Sequence, residues 1–269
     1  MVDKVVIVTG ASSGIGLAIA REFANNGSKV VLAARNYDKL QEIEKDIISK
    51  GKIAFAVKTD VSIEEDAKNL IEKTIEKFGD IHILINNAGV SMRAMFNDLN
   101  LDVIKKVMNI NFWGTVYCTK YALPYILKNK GSVVGISSVS GFSPLPARTG
   151  YCASKYAIHG FLETLRIENL KTGLHVLIVT PGFTSSNIRN TALSADGSPQ
   201  KETPRNESKM MSAEEVARRV YRAVKKRKRF QVYTVIGKAV RIFNYFLPRF
   251  TDNMVYKQMA KEPNSPLKK

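Results

Sequence analysis

Short runs of β-branched and aliphatic residues alternate along most of this chain with longer stretches whose apolar positions recur at helical spacing. The runs lie near Lys4 to Thr9, Lys29 to Ala34, Ile53 to Lys58, Ile81 to Ile85, Ser132 to Ser137 and Leu174 to Val179, with another at Phe230 to Thr234. Between them the periodicity predicts helices beginning near Gly14, Asp38, Glu64, Leu101, Tyr151 and Ser212, several opened by Asp or Ser at an N-cap position. Strand-length runs separated by amphipathic helices predict an α/β chain in which crossover helices join parallel strands.

The rhythm breaks from Pro181 to Met211, where Gly197, Pro199, Pro204 and many Ser, Thr and Asn interrupt any period. Residues 183–211 lie beyond the carboxyl end of the sixth run and read as a substrate-lid loop. A second change comes at the last run. Lys225-Lys226-Arg227-Lys228-Arg229 precedes it, and Ile236 to Leu247 then mixes aromatics with Lys and Arg before Pro248, the pattern of an amphipathic helix with a basic rim. The expected division is one catalytic domain over residues 1–234 and a basic amphipathic extension over residues 235–269. Two readings of the extension stay open: in-plane contact with a membrane surface, or packing against the domain or a partner subunit.

With 269 residues, 45% hydrophobic and 24% charged, the chain suits a single large globular domain. A formal net charge of +17 suggests nucleic acid at first, but its distribution argues otherwise. From Lys225 to Lys269 twelve Lys or Arg face only Asp252 and Glu262, a surplus of ten that leaves seven for the rest. No helix-turn-helix, zinc-finger or base-stacking pattern accompanies the charge, so no nucleic-acid partner is expected. Cys118 and Cys152 lie far apart, and no His or Cys cluster has metal-ligand spacing, which argues against a disulfide scaffold or a metal site. An apolar run starting within a few residues of Met1 leaves no room for a signal peptide, and no spanning helix is visible; a reducing, cytoplasmic setting is expected.

Candidate chemistry begins at the first strand. Thr9-Gly10-Ala11-Ser12-Ser13-Gly14-Ile15-Gly16 follows that strand and opens the first helix, as a dinucleotide pyrophosphate site requires. Gly10 permits the tight turn, while Gly14 and Gly16 let backbone approach the phosphates. The second strand ends in Arg35 rather than the acidic residue that would bond an adenosine ribose 2′-hydroxyl, and a guanidinium there suits a 2′-phosphate. NADP(H) is therefore favoured, with NAD(H) as the alternative. Asp60 and Val61, ending the third strand, are placed beside the adenine, although Asp60 equally suits the N-cap side of the next helix.

Tyr151 and Lys155 stand four residues apart on a predicted helix, so phenol and ammonium point the same way and the cation can favour the phenolate. Spacing alone decides nothing, because Tyr221 and Lys225 repeat it, with Ser208 as far before Tyr221 as Ser138 is before Tyr151. Setting separates the two. Ser138 ends the apolar run from Ser132 to Ile136, where a sheet presents side chains to a ligand crevice, whereas Ser208 lies in a polar stretch.

Taken in order, Thr9 to Gly16, Asn86-Asn87-Ala88-Gly89, Ser138, Tyr151-xxx-Lys155 and Pro181-Gly182 resemble the short-chain dehydrogenase/reductase superfamily, over roughly Lys4 to Thr234. The resemblance extends to carbonyl reductases similar to hydroxysteroid dehydrogenases. It implies a Rossmann-type doubly wound parallel sheet of about seven strands with helices on both faces, a nicotinamide cofactor, and a homodimer or homotetramer. It further implies Ser138, Tyr151 and Lys155 as the catalytic set, with Asn111 preferred over Asn109 as the helix asparagine that anchors a proton-relaying water. Asn87, Ala88 and Gly89 would line the adenosine ribose, Lys155 would hold the nicotinamide ribose, and Pro181, Gly182, Thr184 and Ser186 would lie by the nicotinamide. Phe142, Pro144, Leu145, Pro146, Phe183 and Met92 suggest an apolar pocket for a hydrophobic carbonyl or alcohol. The rival reading is a non-catalytic cofactor-binding, regulatory, nucleic-acid- or membrane-associated protein on the same fold; retention of Ser138, Tyr151 and Lys155 argues against it.

Overall fold

The strand runs enter a single sheet because each is apolar on both sides and must be covered on both. In the computed structural model, which describes residues 1–184, 188–200, 210–262 and 264–268, seven parallel strands are ordered β3-β2-β1-β4-β5-β6-β7. They are β1 (Val5–Thr9), β2 (Lys29–Ala34), β3 (Ile53–Lys58), β4 (Ile83–Asn86), β5 (Ser132–Ile136), β6 (His175–Thr180) and β7 (Phe230–Val232). Every residue of β1, β4, β5 and β6 is buried, as a sheet covered on both faces demands.

Alternation along β1 shows the two layers. Val6 and Val8 face α1 (Gly14–Asn25), α2 (Tyr37–Ser49) and α7 (Ala213–Lys225). Val5 and Ile7 face α3 (Glu64–Phe78), α5 (Gly114–Lys128) and α6 (Thr149–Glu168). The strand order reverses direction of winding between β1 and β4, and that switch point opens a crevice at the carboxyl ends of the strands.

Most expected boundaries move by one or two residues: β4 starts at Ile83 rather than Ile81, β5 stops at Ile136, β6 spans His175–Thr180, and α6 begins at Thr149. Two differences are larger. The helix expected from Leu101 is α4 (Leu101–Met108), a π-helical turn (Asn109–Trp113) and then α5, because one extra residue is looped out where Asn111 turns inward. Beyond Pro248 no helix was expected, yet Pro248 occupies the first turn of α9 (Pro248–Ala260), where its missing N–H costs nothing. Before it, α8 (Val235–Phe246) starts at Thr234, whose hydroxyl accepts from Gly237 N at 3.1 Å.

Candidate active site

The glycine loop leaves β1 in a turn only glycine adopts easily: Gly10 has φ 66°, and a Cβ there would meet Ala88 Cα and Asn87 Nδ2 at 2.9 Å each. Helix α1 follows without a side-chain cap, since Ser13 is extended and its hydroxyl accepts nothing from the first turn. First-turn amides left without a side-chain cap, together with the helix dipole, suit an anion. Asn87 holds the loop from the side, its Nδ2 donating to Thr9 O at 2.9 Å, while Thr9 Oγ1 accepts from Asn87 N and Ala88 N, both at 3.0 Å. The cradle thus fits a dinucleotide pyrophosphate, with Ser12, Gly14 and Ile15 partly exposed and Gly16 buried where a Cβ would clash with Gly10 O and Asn87 Nδ2.

At the other end of the crevice a cavity of 290 Å³ is lined by Arg35, Asp60, Ser62, Lys105, Lys106 and Asn109, among others. Arg35 is exposed and makes no ion pair among the described residues. Asp60 Oδ1 is occupied locally, accepting from Ser62 N at 3.0 Å and Ser62 Oγ at 2.7 Å in the turn that leads to α3. Val61 beside it is buried against Gly114. Lys105 and Lys106 escaped the sequence reading, and Asn109 entered it only as the rival to Asn111, because nothing local to α4 shows that its polar flank shares a cavity with residues that follow β2 and β3.

The chemistry-bearing side chains meet at the carboxyl end of β5. Ser138 begins a 3₁₀ turn (Val139–Gly141), its Oγ accepting from Ser140 N at 3.2 Å. Tyr151, one turn into α6, is buried beside it. Burial pushes the Tyr151 phenol above its ordinary 10.0, while the Ser138 hydrogen bond and the charge of Arg148 pull the other way. Lys155 Nζ donates to Ile136 O at 3.0 Å and lies 5.7 Å from the Tyr151 ring centre. Lys155 thus lies over the ring of Tyr151, and Arg148 is a further cation whose charge lowers the phenol. Burial brings Lys155 itself from 10.5 to about 8. Arg148 stands three residues before Tyr151 as the N-cap of α6, outside the helix that the sequence predicts from near Tyr151.

Asn111 is wholly buried, whereas Asn109 is exposed. Its Oδ1 accepts from Val90 N at 2.8 Å, and its Nδ2 donates to Val90 O at 3.0 Å and to Ser154 Oγ at 2.9 Å. A Cβ on Gly89 would lie 3.1 Å from Asn111 Oδ1 and 3.7 Å from Lys155 Nζ, so Gly89, Asn111 and Lys155 form one cluster. Ser154, missed from sequence, fixes the asparagine amide. Thr184 is buried, with Oγ1 donating to Gly182 O at 3.2 Å behind Pro181, while Ser186 and residues 201–209 of the lid lie outside the described residues.

The apolar-pocket residues divide. Met92 and Leu193 are buried with Tyr151, and the two segments pair through Arg93 N to Leu193 O at 2.9 Å. Phe142 instead packs on Phe230 and His159, and Pro144 is exposed. The duplicate pair goes elsewhere: Tyr221 meets Phe23 in the core with ring centres 5.2 Å apart, Lys225 is exposed, and Ser208 lies outside the described residues.

The model of the family described as short chain dehydrogenase matches residues 4–196. The mouse protein named dehydrogenase/reductase SDR family member 7B is 37% identical over 84% of this chain and 72% of its own length. An Arabidopsis thaliana protein named 11-beta-hydroxysteroid dehydrogenase-like 3 is 43% identical over 69% of this chain, which spans 60% of that relative's length. The solved structure of an alcohol dehydrogenase from Thermococcus sibiricus, complexed with 5-hydroxy-NADP, superposes with a TM-score of 0.74 at 25% identity, covering 86% of this chain and 95% of that one. A short chain dehydrogenase/reductase from Burkholderia phymatum in complex with NAD shares the fold, with a TM-score of 0.83 at 24% identity over 93% of this chain and 95% of that one. A sheet switch point, an uncapped phosphate cradle and a buried Ser-Tyr-Lys cluster thus coincide with sequence kinship, and the chain belongs to the short-chain dehydrogenase family, NAD(P)-dependent oxidoreductases acting on CH–OH and C=O groups.

Proposed function

We propose that the protein is an NADP(H)-dependent reductase of an apolar ketone, or in reverse a dehydrogenase of the matching secondary alcohol. The observation that carries this is the convergence of Ser138, Tyr151, Lys155 and Asn111 at the end of β5, beside the cradle after β1. Bound nicotinamide supplies the hydride. Tyr151 passes the proton to or from the substrate oxygen, and Ser138 hydrogen-bonds that oxygen and orients it. Lys155 holds the nicotinamide ribose hydroxyls. Asn111 keeps the Gly89–Val90 segment against Lys155, with the second lone pair of Oδ1 as the remaining acceptor for a relaying water. Thr9 to Gly16, Asn87 to Gly89, and Pro181 to Ser186 hold the rest of the cofactor.

The preference for NADP(H) is supported by exposed Arg35 and by Lys106 on the same cavity. The apolar substrate is supported by buried Met92 and Leu193 at Tyr151. Comparing NADPH with NADH oxidation across steroid, acyl and aromatic ketones tests both; Arg35→Ser is expected to raise the KM for NADPH about tenfold and leave that for NADH within twofold. Equal loss with both cofactors would overturn the 2′-phosphate role. Residues 1–234 form the catalytic domain in this reading, with 235–269 docked on it as an extension. A homodimer or homotetramer is part of the same reading, supported by exposed Trp113 and Tyr156 on the face formed by α5 and α6, and light scattering checks it.

Peripheral contact with an anionic bilayer through α8 and α9 has its own support. Val235, Ile236, Tyr245 and Phe246 are 82%, 77%, 81% and 71% exposed, and Lys238 and Arg241 border a groove with Ile242, Tyr245 and Phe246. No described helix is long and apolar enough to cross a membrane. Co-sedimentation with phosphatidylserine-containing vesicles should fall in Tyr245→Ser/Phe246→Ser; undiminished pelleting removes the contact.

A further inference from the structure

Ser138 sits on a turn of three residues, and the sheet alone does not hold that turn. β5 ends at Ile136, so beyond Ser137, whose N donates to Val179 O at 2.8 Å, the chain leaves the ladder. Inside the turn, Gly141 N donates to Ser138 O at 3.0 Å and Phe142 N to Val139 O at 3.1 Å, both local bonds. What keeps the turn in place comes from outside it, and much of that lies in the C-terminal extension, beyond residue 196 where the family match stops.

We infer that α8, acting with His159, is a brace that positions Ser138 for the reaction. Asn244 Nδ2 donates to Phe142 O at 2.9 Å, across 102 residues of sequence. Arg241 stacks its guanidinium 4.0 Å from the ring centre of Phe230 and 6.0 Å from that of Phe142. Gly237 lets the helix approach so closely that a Cβ there would lie 3.1 Å from Val139 Cγ2. From the other side His159 Nε2 is 2.8 Å from Ser137 Oγ, and its ring fills the space a side chain on Gly141 would occupy, 2.6 Å from that position. His159, Phe142 and Phe230 form a closed aromatic triangle with ring centres 5.6 to 6.4 Å apart.

The arrangement spans both flanks of the serine. The residues before and after it, Ser137 and Val139, each touch a brace element, so Ser138 Oγ is aimed by contacts it does not itself make. Burial, then the charges of Lys155 and Arg241, keep His159 down at about 4, so its ring is neutral in the working range and the bond to Ser137 persists there. The group that reports displacement of Ser138 is Tyr151, since the Ser138 hydrogen bond lowers the phenol; Arg148 and Cys152 are the other titratable or charged groups acting on it, and Lys155 lies over its ring. His159, Arg241 and Asn244 are positioning residues.

Asn244→Ala, Arg241→Ala, His159→Leu and His159→Gln, with Gln258→Ala on the exposed side of α9 as a control, test the brace by two readouts. Hydrogen exchange needs no turnover: the amides of Ser140 to Ser143 should exchange at least tenfold faster in Asn244→Ala and Arg241→Ala, with β6 unchanged. In NADPH-dependent reduction of 9,10-phenanthrenequinone, these variants should lose roughly tenfold to a hundredfold in kcat at unchanged KM for NADPH. The pH limb belonging to Tyr151 should move upward. His159→Gln, which keeps a hydrogen-bonding partner for Ser137, should recover most of what His159→Leu loses, and Gln258→Ala should match the parent. Unchanged exchange at Ser140 to Ser143 in both α8 variants would overturn the brace. So would faster exchange with kcat and the Tyr151 limb unmoved, which would leave α8 a packing element only.

Discussion

Two helices of this protein carry tyrosine and lysine four residues apart, and the fold uses them in opposite ways. On α6, Tyr151 and Lys155 are both buried, and Lys155 reaches back to Ile136 O at the end of β5. On α7, only Tyr221 is buried; its ring packs edge-on against Phe23 under the other face of the sheet, and Lys225 stands exposed in the last helical turn. Burial pushes both phenols upward, so a raised tyrosine alone does not distinguish them. The desolvated lysine does. A buried ammonium destabilises a fold, a cost met mainly at functional sites, and this one lies at the switch point beside the glycine loop.

The largest expected effect separates the pairs by activity. Tyr151→Phe should cut turnover about a thousandfold or more while NADPH binding stays near the parent value, and Tyr221→Phe should stay within twofold; comparable losses at both sites would erase the distinction. Truncation then reverses the ranking. Tyr221→Ala opens a core cavity next to Phe23 and should cost about 3 to 4 kcal/mol in denaturant unfolding, with kcat per folded molecule preserved.

Lysine replacement sharpens the contrast in stability. With Lys155 held near about 8 against 10.5 in the unfolded chain, its buried charge costs about 3 kcal/mol at neutral pH. Lys155→Met should therefore raise neutral-pH stability by about that amount while abolishing activity, and Lys225→Met should change stability by no more than about 0.5 kcal/mol. Between pH 8 and 10.5 the unfolded chain binds more protons at Lys155 than the folded one, so parent stability rises with pH and the advantage of Lys155→Met disappears toward pH 10.5. A pH-independent advantage would mean that packing, not desolvation, is responsible. The smallest effect is at the start of α7, where Ser212 Oγ accepts from Glu215 N at 3.1 Å; Ser212→Ala should cost about 1 kcal/mol and leave kcat unchanged.

Legibility varied with how local each determinant is. β2 and β3 agree with the expected bounds because their runs end in turn residues, and Ser212 was visible as a cap because capping acts over three residues. The π turn at Asn111 was not legible: the extra residue is stabilised by Val90 and Ser154, far away in sequence. Nor was Arg148 legible as a charge on Tyr151, since it precedes the predicted helix and reaches the phenol only through the turn that enters α6. Phe142 looked like pocket wall because it follows the catalytic strand, yet α8 and β7 give it a different partner.

By itself the sequence determined the alternation of strands and helices, the glycine loop after the first strand and the order of its chemical groups, because these follow from side-chain periodicity and local backbone preference. Tertiary structure decided which Tyr-Lys pair is desolvated beside the cradle, that the charge of Arg148 also bears on Tyr151, and that residues after Thr234 press on the turn holding Ser138. Burial and electrostatics depend on everything that packs around a group, and those neighbours come from strands and helices that the chain brings together only when it folds.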